Sequence, residues 1–166
     1  MEKDMSQTFW QVLGLGVIAG MRSLSAPALA SHYLAKDQSS ELENSPLKFL
    51  QSPQVADVLK LLAAGEMVGD KIPGAPNRIN TASLFARGLS GALVGAALFK
   101  ANKGNMAVGG LLGSAAAVAG TYGSFYLRKG THHLSGIADP ILGLLEDALM
   151  VKSGVEILEK ENIAER

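Results

Sequence analysis

The sequence predicts an all-α protein, a polytopic membrane helix bundle of four to five spans rich in glycine and alanine. Three observations carry that expectation. Residues 104–127 run for 24 positions without one Asp, Glu, Lys, Arg or His. At about 1.5 Å per helical residue they reach roughly 36 Å, against a hydrocarbon core of about 30 Å. Residues 8–35 hold only Arg22 and His32 as strongly polar positions, and 81–101 hold Arg87 as their one interior charge. Polar, proline-bearing stretches punctuate these runs. A buried helix of a soluble protein competes for the longest run, but 18 or more uninterrupted apolar residues favour the bilayer.

Composition removes several function classes. Fifteen basic and fifteen acidic residues cancel, so there is no basic footprint for nucleic acid. The absence of cysteine excludes disulfides, thiol catalysis and thiolate metal sites. The adjacent His132 and His133 point apart on a helix and lack a spaced third ligand, so no metal is expected. The serines and histidines form no nucleophile motif, and no loop is built to cradle phosphate. The expectation is a non-enzyme without catalytic residues or cofactor.

The first element, 8–35, places Trp10 where an interfacial aromatic belongs. Around 9–20 it imitates a signal-peptide core, yet Glu2 and Asp4 outweigh Lys3 where a signal needs positive charge, so a retained span is expected. Within it, Gly20, Ser23, Ser25 and Pro27 predict a kink or break, because proline removes a backbone donor and clashes with the preceding turn. Residues 36–52 are polar and read as a loop, with Leu47, Phe49 and Leu50 available to the headgroup region. Pro53 opens a second span, 53–71, interrupted by Asp57, Lys60, Glu66 and Asp70 and stopped by Pro73 to Pro76.

The third span, 81–101, leads through Asn102 and Lys103 into the fourth, 104–127. Asp139 followed by Pro140 starts a fifth, 139–152, with Gly154 as its terminator and 156–166 as a solvated acidic tail. Five crossings place the termini on opposite sides. Seven basic residues then gather on the C-terminal side (Lys36, Lys48, Lys100, Lys103, Lys152, Lys160, Arg166) against five on the other, which leans toward a cytoplasmic C-terminus.

Small residues dominate the fourth span, and between helices in lipid such residues permit the close backbone approach that drives association. Gly-x-x-x-Gly occurs at Gly16/Gly20, Gly65/Gly69, Gly91/Gly95 and Gly109/Gly113. Tight bundling within the chain is one reading, and a homodimer the sharper one. With an offset of 93, the first and fourth spans also match at Gly16/Gly109, Gly20/Gly113, Ser31/Ser124 and Tyr33/Tyr126, and Pro27 falls on Gly120. Chance similarity stands beside an inverted repeat of the kind transporters use.

Ionisable groups inside membrane helices are costly and need a partner or water. Arg22 and Arg87 face Glu66, Asp70, Glu146 and Asp147 in that inventory, with Glu66 and Asp70 at i, i+4 on one face. In one reading the arginines pair with Glu66 and Asp70 as structural salt bridges, leaving Glu146 and Asp147 near a membrane surface. In the other, Arg22, Ser23 and Ser25 at the break bind an anion or polar solute, and Glu66 or Glu146 carries a coupling proton or cation.

The stretches at 20–27 (Gly-Met-Arg-Ser-Leu-Ser-Ala-Pro) and 69–74 (Gly-Asp-Lys-Ile-Pro-Gly), the pair Arg87-Gly88, and Asp139-Pro140 followed by Leu-Glu-Asp at 145–147 resemble a known family. It is the bacterial integral membrane family catalogued as domain of unknown function 4126. The similarity spans about Gly14 to Gly154. It implies a small multi-pass protein of the bacterial inner membrane and carries no activity with it. The family pattern often shows a further acid after the Pro-Gly turn, where Ala75-Pro76-Asn77 stand here. Three functions stay open: a transporter or channel-like carrier for a small solute or ion, a non-catalytic membrane scaffold or assembly factor, and a lipid-binding protein.

Overall fold

The structure is a computed structural model and describes residues 5–69, 80–135 and 139–163. Regular structure among the described residues is helical throughout. In order come α1 (Met5–Met21), α2 (Ser25–Lys36), α3 (Ser40–Glu43), a 3-10 helix (Pro46–Gln51), α4 (Pro53–Gly69), α5 (Thr81–Ala101), α6 (Met106–Ser135) and α7 (Asp139–Ile163).

Glycine sets the spacing of the central trio, α1, α5 and α6. Gly91 of α5 abuts Gly113 of α6, and Gly95 abuts Gly109, so the two helices run antiparallel in backbone contact. Across α6, Gly16 meets Gly113 and Ala116 while Gly20 meets Ala117 and Thr121. There α1 runs parallel to α6. A Cβ on Gly16 would fall 2.6 Å from the Ala116 Cβ, and one on Gly20 2.6 Å from the Thr121 backbone nitrogen. No side chain fits at either place.

The first segment does not cross as one kinked span. On α1, Val12 lies against Gly95 and Gly20 against Arg87, so α1 is antiparallel to α5. On α2 the order is reversed: Ser23 meets Ser90, and Tyr33 and Leu34 share a cavity wall with Leu98. The chain therefore turns back at 22–24. Met5 and Asp37 both finish near the α5–α6 turn, Met5 against Gly104 and Asp37 in a cavity with Lys103. The α1–α2 pair is a helical hairpin with both feet at one end of the bundle and its tip inside.

Helix α7 then descends along α1, with Asp147 beside Arg22, Gly154 against Ile18 and Ile157 against Gly14. Its C-terminal end thus heads for the end where α1 begins, which replaces the expected opposite-sided termini. Nor does Gly154 end the helix. It is buried where a Cβ would come 3.1 Å from Ile18 Cδ1, and α7 continues to Ile163 with Leu158 buried. The helix keeps a packing face beyond Gly154, so no cap is needed there.

The expected loop 36–52 is also more ordered than its polarity implies. Leu42 and Leu50 are fully buried, and Ser31 Oγ donates to Leu50 O at 2.8 Å. Leu50 closes the core, while Phe49 stays outside at 44% exposure. The break in α1–α2 has no counterpart in α6, which passes unbroken through Gly120. Glycine keeps the backbone donor that proline lacks, and Gly120 is held against Val17.

Among the described residues two helical stretches, Thr81–Ala101 and Met106–Leu127, are long and apolar enough to cross a membrane. Reversal cuts the first segment into pieces of 17 and 12 residues, each short of the roughly 20 a span requires. Burial is distributed inside out. Arg87, Ser90, Thr121 and the packed glycines face inward, whereas Phe85, Leu89, Leu111, Tyr126 and Leu127 are exposed.

Candidate functional site

The tip of the α1–α2 hairpin is a backbone discontinuity, and its unpaired groups must find partners elsewhere. In a continuous helix Ser23 O would accept from residue 27, but Pro27 has no N–H. Ser90 Oγ of α5 donates to Ser23 O instead. Gly20 O would accept from Leu24 N. It receives Arg87 Nη1 at 2.9 Å from α5 and Thr121 Oγ1 at 3.0 Å from α6.

The freed donors go to α4. Ser23 N and Ser23 Oγ reach Glu66 Oε1 at 2.9 and 2.7 Å, and Leu24 N reaches Oε2 at 2.8 Å. The carboxylate caps α2 from another helix, where the N-terminal end of the dipole favours negative charge. Ala28 N to Leu24 O at 3.1 Å then restarts the helical ladder.

Arg22, only 2% exposed, directs Nε and Nη2 at the same Oδ1 of Asp147, each at 2.9 Å. Asp147 is itself 7% exposed. A buried pair of this kind offsets its desolvation only through close, multiply bonded geometry, and losing one partner costs about 3–5 kcal/mol. Arg87 is buried as well. Among the described side chains of the node, formal charges balance: two arginines against Glu66 and Asp147. Ser25 Oγ is buried and makes no hydrogen bond among the described residues.

These contacts correct the expected pairing. Arg22 selects Asp147 rather than Glu66, and Asp147 lies inside the bundle rather than near a surface; among its contacts Arg87 reaches the Gly20 carbonyl. The reversal is the cause, since it carries Arg22 toward α7 and presents N–H groups, not a guanidinium, to Glu66. Asp70 lies outside the described residues, as do the side chains of Glu146, His132 and His133. Two members were missed in the sequence. Ser90, one turn beyond Arg87 on the same face, had a legible signal in that spacing. Thr121 had none, because threonine in an apolar helix usually bonds its own preceding turn, as Thr121 also does to Ala117 O at 2.8 Å.

The node thus draws on α1, α2, α4, α5, α6 and α7. Among the described residues no three His, Asp or Glu side chains converge on a metal position. What the arrangement offers is a cradle for one carboxylate beside a buried ion pair. A family model described as a domain of unknown function (DUF4126) matches residues 10–155. No curated protein and no solved structure matches the chain.

Proposed function

The chain belongs to the DUF4126 family, and from that premise we propose that it is a multi-pass bacterial membrane protein acting as a small carrier or channel. In this reading α5 and α6 cross the bilayer, and α4 and α7 flank a re-entrant α1–α2 hairpin. The observation that carries it is the hairpin tip. Irregular backbone at membrane depth is tolerated only where protein buries it or water reaches it, and transporter sites are built from such helix ends.

Further support comes from the outward Phe85, Leu89, Leu111 and Leu127 around inward glycine, serine and arginine, the reverse of a water-soluble surface. Lys36, Lys100 and Lys103 gather at the end where the hairpin has its feet, which favours a cytoplasmic placement for that end. Glu66 is the mobile charge of this mechanism. It is half-buried, sits on a peripheral helix, and bonds N–H groups that an anionic solute would also use.

Proteoliposomes loaded with a pH-sensitive dye test the proposal against a panel of organic anions, amino acids and alkali cations. A solute gradient is expected to drive proton movement. Glu66→Gln keeps one acceptor oxygen without the titratable charge and sets its NH2 against a remaining donor, so movement should stop while the protein stays folded with a modest drop in melting temperature. Unchanged flux in the variant would remove Glu66 from the path, and no flux with any solute would overturn the carrier reading.

A scaffold role is the second reading, favoured by how completely Arg22 and Asp147 engage each other. In that case the double variant Arg22→Asp with Asp147→Arg should recover the melting temperature that Arg22→Asp alone loses. The protein would then move no solute.

A further inference from the structure

The geometry points to a second site, at the feet of the α1–α2 hairpin, that binds a small zwitterion. A cavity of about 360 Å³ opens there between the C-terminal end of α2 and the α5–α6 turn, lined among others by Tyr33, Asp37, Ser39, Glu41, Asn102 and Lys103. That volume is in the range of sites for small molecules. One wall carries the carboxylates of Asp37 and Glu41. The carbonyl ends of α2 and α5 converge on the same space, and both helix termini place the negative end of the dipole there. An ammonium group suits that wall.

Lys103, on the same cavity, supplies the opposite charge. Its φ of 61° lies in the left-handed region, the one such non-glycine residue among those described. The turn is a Schellman closure, with Gly104 N donating to Phe99 O at 2.7 Å and Lys103 N to Lys100 O at 3.1 Å. Glycine normally takes the left-handed position of that motif, yet lysine holds it here and glycine comes one residue later. The two capping hydrogen bonds hold Lys103 in this conformation and so fix its place on the cavity rim.

Lys100 stands 3.5 Å from Glu41, and Asp37 and Lys103 each interact within the protein, so the ligand meets groups already oriented by neighbours. The matching chemistry is a primary ammonium joined by a short linker to a phosphate or carboxylate. Such a group occurs on a free solute and on an aminophospholipid. The lipid source rests on the membrane reading above, since only then does the α5–α6 turn lie at headgroup level; the soluble source does not.

Calorimetry on the full chain in detergent, with O-phosphoethanolamine as probe, tests the soluble source. Nanodiscs of phosphatidylethanolamine against phosphatidylglycerol, scored by lipid retained on the purified protein, test the other. Saturable binding of the probe, ethanolamine-lipid enrichment, or both is the expected result, and which arm responds identifies the source. Lys103→Gly is expected to weaken binding at least tenfold while raising the melting temperature, because glycine relieves the left-handed backbone. Asp37→Asn should weaken binding by a similar factor. A purely structural Lys103 would give the stability gain alone, and retained affinity in Lys103→Gly overturns the proposal. So does failure of both probes, whatever the flux through Glu66 proves to be.

Discussion

Two helical hairpins make up most of the core, and they close in opposite ways. The α5–α6 hairpin turns at the end of the bundle, where Asn102, Lys103 and Gly104 satisfy the last carbonyls of α5 with their own backbone N–H groups. Its arms touch through Gly91, Gly95, Gly109 and Gly113. The α1–α2 hairpin turns inside the protein. Its tip borrows Glu66, Arg87, Ser90 and Thr121 from three other helices, and Arg22 at that tip reaches Asp147 on a fourth. One hairpin is a local product of its own turn, whereas the other exists only once the rest of the bundle is in place.

That contrast predicts a gradient of sensitivity. The largest effect is expected at Gly113→Leu, which drives a side chain into the backbone of Gly91 and Gly95. Overpacking commonly costs about 1–3 kcal/mol, and with rigid backbone as the obstacle the cost should reach or exceed about 3 kcal/mol. The expected readout is loss of a monodisperse peak on size exclusion in detergent; a well-behaved variant would mean that the α5–α6 contact is looser than described.

Next comes the buried ion pair. Arg22→Leu leaves Asp147 without its guanidinium, and about 3–5 kcal/mol should be lost. Arg22→Leu with Asp147→Leu should recover much of this, since a well-packed apolar pair is often neutral. Denaturant titration of both variants measures the difference. Equal destabilisation would mean that the hairpin tip depends on charge itself rather than on the avoidance of an unpaired one.

Glu66→Ala should be milder, about 1–3 kcal/mol, as it strands the Ser23 and Leu24 donors in a half-buried place. Hydrogen exchange should show faster opening at Ser23 and Leu24, with the α5–α6 hairpin unchanged. Uniform loss of protection across both hairpins would contradict their separate origins of stability.

The smallest effect is expected on α4, whose Gly65 and Gly69 have nothing within 4 Å among the described residues. Gly65→Ala should leave the fold intact and add about 0.5–1 kcal/mol through helix propensity. A drop in stability instead would reveal a neighbour at that face, such as a second copy of the chain, as its Gly-x-x-x-Gly spacing allows.

Much of the local structure was legible. The apolar runs located α5 and the membrane-length part of α6, Pro53 marked the start of α4, and Asp139 with Pro140 marked the start of α7. The candidate site was legible as an inventory, because a charge in an apolar helix stands out without knowledge of its neighbours. Arg22, Ser23, Glu66, Arg87 and Asp147 do meet. Their pairing was not legible, since a reversal at 22–24 carries no Gly-Pro or Asn-Gly signature and looks the same as a kink. The four Gly-x-x-x-Gly pairs were equally visible, yet spacing alone cannot separate the three that pack within the chain from the one on α4.

By itself, then, the sequence located the long helices and the few charged positions within their apolar runs. Both follow from side-chain chemistry and periodicity within a single segment. Only the tertiary structure decided the direction of α2, the partner of each charge and the depth of Asp147. Those depend on hydrogen-bond donors and acceptors that lie between 42 and 125 residues apart along the chain. A broken backbone is stable wherever the folded bundle supplies its missing partners, and no local pattern records where they will arrive.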